Sequence, residues 1–183
     1  MKKSLVYASL FLLSSIIAFA GDAQITMPTQ GWLINTKEKT CRAEMSHEQA
    51  PDGSNAIRIK FDDSNTAANI TMSLAYLAEA ASNWPAVFNG LSGYVWNDGK
   101  NNIIRLSFKM EDGIYFHGFF KPDHTGWKLM TCEGVADFQH NNVNFNPSDT
   151  TSFFITIDQQ PEAEIALGAL NWTAEETKSG KER

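Results

Sequence analysis

The sequence predicts an all-β protein, a two-sheet antiparallel β-sandwich of the jelly-roll class. Short segments of alternating apolar and polar residues recur along the chain, as in residues 56–62, where Ile57 and Ile59 share one side. Gly99 and Gly113 lie between such segments and supply the backbone conformation that short turns need. Because no long helical pattern interrupts the series, about nine short strands in two packed sheets are expected.

The first twenty residues have the pattern of a secretory signal peptide. Lys2 and Lys3 precede an apolar stretch over residues 5–19, and the small-residue pattern that ends at Ala20 marks a cleavage site. No later segment approaches the ~20 consecutive apolar residues of a membrane span. The chain is therefore predicted to be cleaved after Ala20 and to be secreted or periplasmic.

Removal of 20 residues from 183 leaves 163, which is roughly the length of one domain. We expect the domain to occupy residues 21–174, followed by a polar C-terminal tail over residues 175–183. Loss of Lys2 and Lys3 with the leader lowers the formal net charge from −6 to −8. This excess of acid argues against nucleic acid and anionic membranes as partners, because both are bound through lysine and arginine.

The strands after residues 56–62 are predicted in order from the same alternation. Residues 69–77 continue it, although the segment after Ser73 also has helix propensity; Pro85 then requires an irregular link. Six further strands are predicted over residues 91–97, 103–110, 113–121, 124–133, 151–158 and 163–172.

Residues 94–108 are interpreted as a hairpin that continues into the strand over residues 113–121. Alternation divides the side chains of this segment into an inner and an outer set. The inner set is Val95, Ile104, Leu106, Phe108, Ile114, Phe116 and Phe120; the outer set is Tyr94, Trp96, Arg105, Ser107, Lys109, Tyr115, His117 and Phe119. Neighbouring antiparallel strands bring outer residues to within about 5 Å of one another, so one continuous patch is expected.

Five short motifs in a fixed order carry a resemblance to a known family. They are DGSNAIRIKFD, WPAVFNGLSGYVWNDG, IIRLSFKMEDGIYFHGFF, TGWKLM and AEIALGALNW. Together, from Gly31 to Trp172, they resemble the galactose-binding-like jelly-roll domains that serve as carbohydrate-binding modules. The chain departs from these domains at Gly93, where they usually carry phenylalanine, and in the last strand, which lacks their acidic residue.

The resemblance implies carbohydrate binding on a sheet face, with Tyr94, Trp96, Arg105, Tyr115 and His117 as the ligand-binding residues. Flat aromatic rings suit the apolar faces of sugars, and polar side chains direct hydrogen bonds to their hydroxyl groups. Two alternatives stay open: the aromatic residues serve only cross-strand packing, or the loop over residues 139–148 covers them. The resemblance also implies that Trp127 packs in the core.

Cys41 and Cys132 are the two cysteines, and export to an oxidising compartment predicts a disulfide between them. Two buried free thiols are the alternative. No cofactor is expected. The related domains often hold a structural calcium ion, but the missing acid in the last strand argues against one here, although oxygen ligands are available from Glu44, Asp62, Asp63 and Glu164.

No catalytic signature is found: the chain lacks a G-x-S-x-G or H-E-x-x-H motif, and its four histidines are scattered. Non-catalytic carbohydrate binding by an exported single-domain protein is therefore the first hypothesis. The second is an envelope interaction or structural protein whose aromatic patch contacts another envelope or secreted protein. The third is a small polysaccharide-active enzyme, since carboxylates need only be close in space to act together.

Overall fold

The computed structural model describes residues 24–27, 29–30, 32–36, 43–62, 68–85, 90–133, 145–158 and 162–173. The predicted leader and the predicted tail lie outside these residues. Eleven strands and one α-helix are found in the described part of the chain. They are β1 (Gln24–Ile25), β2 (Trp32–Thr36), β3 (Ala43–Gln49), β4 (Asn55–Phe61), β5 (Ala68–Met72), α1 (Leu74–Ala81), β6 (Gly90–Asp98), β7 (Ile103–Met110), β8 (Tyr115–Phe120), β9 (Thr125–Glu133), β10 (Thr150–Asp158) and β11 (Glu164–Thr173).

The strands form two sheets, and every pairing between them is antiparallel. Sheet A has the order β3-β4-β11-β6-β9, with β1 pairing to β11, and sheet B has the order β2-β5-β10-β7-β8. Neighbours in each sheet are mostly distant in sequence, as is typical of a jelly roll. The predicted class, a two-sheet antiparallel β-sandwich, is confirmed.

Large apolar side chains from both sheets meet in the core. Phe108 of sheet B and Trp172 of sheet A have ring centroids 5.4 Å apart, and Phe153 lies 5.0 Å from Phe108. Alternation therefore predicted the inner set well: Val95, Ile104, Leu106, Phe108, Phe116 and Phe120 are all buried. Ile114 is the exception, since it is only partly buried at the edge of the core.

Residues 94–108 do not form a hairpin, so this interpretation was wrong. β6 pairs with β11 and β9 in sheet A, whereas β7 pairs with β10 and β8 in sheet B. The link between them crosses from one sheet to the other and is held by the buried side chain of Asn97. Its amide nitrogen donates to the carbonyl oxygens of Lys100 and His124, and its oxygen accepts from the side chain of Asn102.

A helix replaces the end of the strand that was expected to reach Leu77. Leucine, alanine and glutamate dominate residues 74–81 and are strong helix formers. Leu77 and Ala81, one turn apart, form the buried side of α1, which packs against β10. None of the helices in the described residues combines the length and the apolar character required to cross a membrane.

Candidate functional site

The outer face of sheet B is the candidate site. Register places outward-facing side chains of four strands side by side: Thr156 pairs with Arg105, Arg105 with Phe119, Phe154 with Ser107, and Ser107 with His117. Asn69 of β5 pairs with Thr156, and Lys109 pairs with Tyr115. We call this surface the sheet B face; its residues are Asn69, Arg105, Ser107, Lys109, Tyr115, His117, Phe119, Phe154 and Thr156.

Aromatic rings form one part of the sheet B face. Tyr115 and His117 are stacked, with ring centroids 6.1 Å apart and an interplanar angle of 17°. Phe154 lies 6.4 Å from Tyr115, and the Nδ1 atom of His117 is 2.9 Å from the hydroxyl of Ser107. Tyr115 keeps 41% of its surface exposed. The rings therefore present a partly open apolar surface beside polar groups.

Polar side chains form the other part. The hydroxyl of Thr156 donates to the side-chain oxygen of Asn69 over 2.8 Å. Arg105 is half-buried; within the described residues it makes no ion pair, and its buried Nε atom has no hydrogen-bond partner. These groups surround a depression of about 230 Å³ lined by Asn69, Arg105, Ser107, Tyr115, His117, Phe154 and Thr156.

Tyr94 and Trp96 lie on the outer face of sheet A, on the opposite side of the sandwich. The one continuous patch predicted from the sequence is therefore wrong: Arg105, Tyr115 and His117 come together, and the two β6 aromatics do not join them. The reason is the sheet change after β6, which sends two strands that are adjacent in sequence to different layers.

Trp96 packs against a charged group. The guanidinium carbon of Arg58 lies 4.3 Å from the centroid of the Trp96 ring, and Arg58 also pairs with Glu48 at 2.6 Å and with Glu164 at 2.8 Å. Burial disfavours the charge of Arg58, but the hydrogen bonds to the two glutamates outweigh that effect and raise the pKa of Arg58. Trp96 is thus part of a structural cluster.

Trp127 was expected in the core and is found elsewhere. It pairs directly with Trp96 across β6 and β9, so both side chains face outward from sheet A. Leu129, two residues further along β9, is 53% exposed. The resemblance failed at Trp127 because the pairing partner, not the motif, decides which side of the sheet a residue occupies.

Several earlier expectations fall partly outside the described residues. Cys41 is among these, while Cys132 is buried and its Sγ atom donates to the carbonyl oxygen of Phe119 over 3.3 Å. The disulfide between them therefore stays a prediction. The loop considered as a cover also lies outside the described residues as far as residue 144. Phe145, the first described residue of that loop, packs in the core.

The acidic residues considered for calcium are only partly described. Asp63 lies outside the described residues, Glu164 holds Arg58, and Glu44 pairs in register with Lys60. In the part of the chain that the structure describes, no three histidine, cysteine, aspartate or glutamate side chains come together as a metal site.

Sequence reasoning missed Asn69, Phe154 and Thr156 as members of the sheet B face. The sequence of residues 151–158 already indicated that Phe154 and Thr156 face outward, since they alternate with the apolar residues Phe153, Ile155 and Ile157. What the sequence did not contain was the pairing of β10 with both β7 and β5. That pairing alone brings these residues next to Arg105.

No family model matches the chain. An 87-residue segment, 47% of the chain, is 37% identical to a mannan endo-1,4-beta-mannosidase of Bifidobacterium adolescentis; the chain spans only 8% of the length of that relative. A family 30 carbohydrate-binding module of a cellulosomal cellulase of Clostridium thermocellum is 12% identical, with a TM-score of 0.57 over 85% of this chain and 99% of the module.

A family 11 carbohydrate-binding module from Clostridium thermocellum, solved with a beta-1,3-1,4-mixed-linked tetrasaccharide, is 9% identical. Its TM-score is 0.55 over 85% of this chain and 98% of the module. At these identities the similarity shows the fold. The jelly-roll resemblance found in the sequence is therefore confirmed as a fold shared with carbohydrate-binding modules.

Proposed function

We propose that the protein binds a polysaccharide or glycan without transforming it, and that the sheet B face holds the ligand. The observation that carries the proposal is the combination of the exposed ring of Tyr115 with the polar depression around Arg105. The fold supports it, because the modules of similar structure are carbohydrate-binding and one was solved with a bound tetrasaccharide.

The chemistry of the sheet B face suits a sugar ring. A pyranose has an apolar face of C–H groups, which can lie on Tyr115, and a rim of hydroxyl groups, which can exchange hydrogen bonds with Arg105, Asn69 and Thr156. The depression of about 230 Å³ is smaller than the roughly 300–1,000 Å³ of a pocket for a drug-sized ligand. It therefore suits one monosaccharide unit of a longer chain that runs across the face.

This proposal retains Arg105, Tyr115 and His117 from the sequence-based set and assigns Tyr94 and Trp96 a different role. Because the two β6 aromatics lie on the opposite side of the sandwich, one sugar chain in the depression cannot contact both groups. Trp96 is expected to stabilise the fold through Arg58, and its effect on ligand affinity should be indirect.

The test is titration calorimetry with a panel of soluble polysaccharides that includes β-mannan and mixed-linked β-glucan. Tyr115→Ala should weaken binding, whereas Leu129→Ala, an exposed large side chain on sheet A, should leave it unchanged. Failure of every polysaccharide in the panel to bind would refute the proposal, and so would equal effects of the two substitutions. Release of reducing ends from the polymers would favour the enzyme hypothesis instead.

We also propose that the protein acts outside the cytoplasm, after removal of residues 1–20. The charged start, the apolar stretch and the pattern that ends at Ala20 support this. Mass spectrometry of the exported protein should give a chain that begins at Gly21. The same intact mass, compared before and after alkylation of the denatured protein without reductant, reports whether Cys41 and Cys132 are bridged, since denaturation exposes the buried Cys132 and a bridged pair takes up no label.

A further inference from the structure

We propose that the glycan held by the sheet B face is acidic and that Arg105 binds a carboxylate of one of its uronic acid units. The inference rests on the proposed function and adds the chemical class of the ligand. It is carried by the contrast between two arginines, by the charges on the face, and by the chemistry of the groups around Arg105.

The two arginines in the described part of the chain have opposite surroundings. Arg58 on sheet A is held by Glu48 and Glu164 and packs over Trp96. Arg105 on sheet B is also half-buried, yet no described carboxylate lies within ion-pair distance of it, and its Nε atom is buried without a partner. A partly desolvated cation without a counter-charge costs stability, and an incoming anion would remove that cost.

The charges on the sheet B face are mainly positive, although the protein as a whole is acidic. Arg105 and Lys109 face outward on β7, and the ring of His117 lies between them on β8. In the described strands of sheet B the one acidic residue is Asp158, which pairs with Ile103 at the end of β10 and is exposed. Two more acids, over residues 111–112, lie in the turn beyond Lys109.

The groups nearest Arg105 in register are uncharged. Thr156 lies beside it on β10 and Phe119 on β8, and the depression adds the amide of Asn69. Such neighbours can hydrogen-bond sugar hydroxyls but cannot neutralise the guanidinium. A carboxylate can, because its two oxygens match the planar fork of an arginine and form two charge-assisted hydrogen bonds. Uronic acids are the sugar units that supply a carboxylate.

The experiment compares glycans that differ only in this group. Oligosaccharides of β-mannan are matched with polymannuronate oligosaccharides of the same linkage and length, and those of β-glucan with their glucuronate counterparts. We expect the acidic member of at least one pair to bind about tenfold or more tightly at low ionic strength, since hydrogen bonds to charged groups are worth that much. The preference should shrink with added salt, because a half-exposed charge pair is screened.

Arg105→Gln should abolish the preference, and it should weaken binding of the neutral oligosaccharide less than binding of the acidic one, since the glutamine amide can still hydrogen-bond a sugar hydroxyl. Arg105→Lys should retain part of the preference because the charge is kept. Lys60→Gln removes the same charge from the exposed outer side of sheet A and should change neither affinity. Thermal unfolding of each variant separates loss of binding from loss of fold.

The outcomes separate this inference from the proposed function. Equal binding of acidic and neutral oligosaccharides in both pairs would overturn the inference and leave glycan binding intact. A preference for acid that survives in Arg105→Gln would overturn the assignment to Arg105. Binding of none of the glycans, acidic or neutral, would overturn the proposed function together with the inference.

Discussion

Replacement of Asn97 by aspartate tests how the chain passes from sheet A to sheet B. Asn97 is completely buried, and its amide nitrogen donates to the carbonyl oxygens of Lys100 at 3.0 Å and His124 at 2.8 Å. Its side-chain oxygen accepts from the amide nitrogen of Asn102 at 2.7 Å. The substitution keeps the size and the acceptor, but it removes both donors and places a carboxylate against two carbonyl oxygens.

The expected loss follows from these three bonds. Each carbonyl left without its donor costs about 1–3 kcal/mol, and the buried charge adds to that sum. We therefore expect Asn97→Asp to lose about 4 kcal/mol of the free energy of unfolding at pH 7. Domains of this size are stable by roughly 5–15 kcal/mol, and each kcal/mol shifts the melting temperature by about 2–4 °C. The melting temperature should thus fall by about 10 °C.

The pH dependence gives the second measurement. Burial raises the folded-state pKa of the new carboxyl above its unfolded value of about 3.9, because the neutral form is preferred and can donate one hydrogen bond. The difference in stability from the wild type should therefore be smallest below about pH 4 and should grow as the pH rises towards the raised pKa. Urea unfolding across this range measures it.

A matched control makes the outcome decisive. Asn55→Asp is the same chemical change at an exposed position on β4 and should alter the unfolding free energy by no more than about 0.5 kcal/mol. If Asn97→Asp were as stable as this control at pH 7, the buried hydrogen bonds would not hold the crossing, and our account of it would be wrong.

Three further predictions concern the core, one close backbone contact and one surface ion pair. Phe108→Ala should lose about 3–5 kcal/mol in urea unfolding, since Phe108 is fully buried; a loss below about 1 kcal/mol would contradict that packing. Gly93→Ala should lose about 1–3 kcal/mol in the same assay, because its Cβ would lie 2.6 Å from the Cδ2 atom of Leu170 and 3.0 Å from the backbone oxygen of Ala169; wild-type stability would show that Leu170 moves aside at little cost. The hydrogen bond from Lys128 lowers the pKa of Asp123, so the small stabilisation from this pair is present above the unfolded-state pKa and is lost as the pH falls through the folded-state pKa. NMR titration should show the pKa of Asp123 rising in Lys128→Gln, and no change would exclude the contact.

The sequence was sufficient for the fold class and for most of the core. Period-two alternation is a local property, because the side chain of each strand residue points away from that of the next. It therefore placed Val95, Leu106 and Phe108 inside without any knowledge of their partners. The same rule failed at Leu74, where the chain leaves β5 and begins α1, because apolar and small residues satisfy both periodicities over a short segment.

Sheet membership could not be predicted from the same alternation. Val95 and Ile104 both face the core, and this is equally true whether β6 and β7 pair with each other or lie in opposite sheets. The turn residues between the two strands favour a hairpin, but the buried hydrogen bonds of the Asn97 side chain stabilise a link that crosses from sheet A to sheet B. Since sheet membership determines which outer residues are neighbours, the candidate site was only half recovered.

The two arginines show why the remaining information lies in cross-strand pairs. Arg58 and Arg105 both alternate with buried isoleucine or leucine residues in a strand, so their local sequences predict the same half-buried position. Their roles differ because Arg58 is close to Glu48 and Glu164, whereas Arg105 lies between Thr156 and Phe119. A counter-charge supplied by the fold makes the first arginine structural. The absence of one among the described neighbours of the second leaves its charge available for a ligand, and that is the property on which acidic glycan binding would depend.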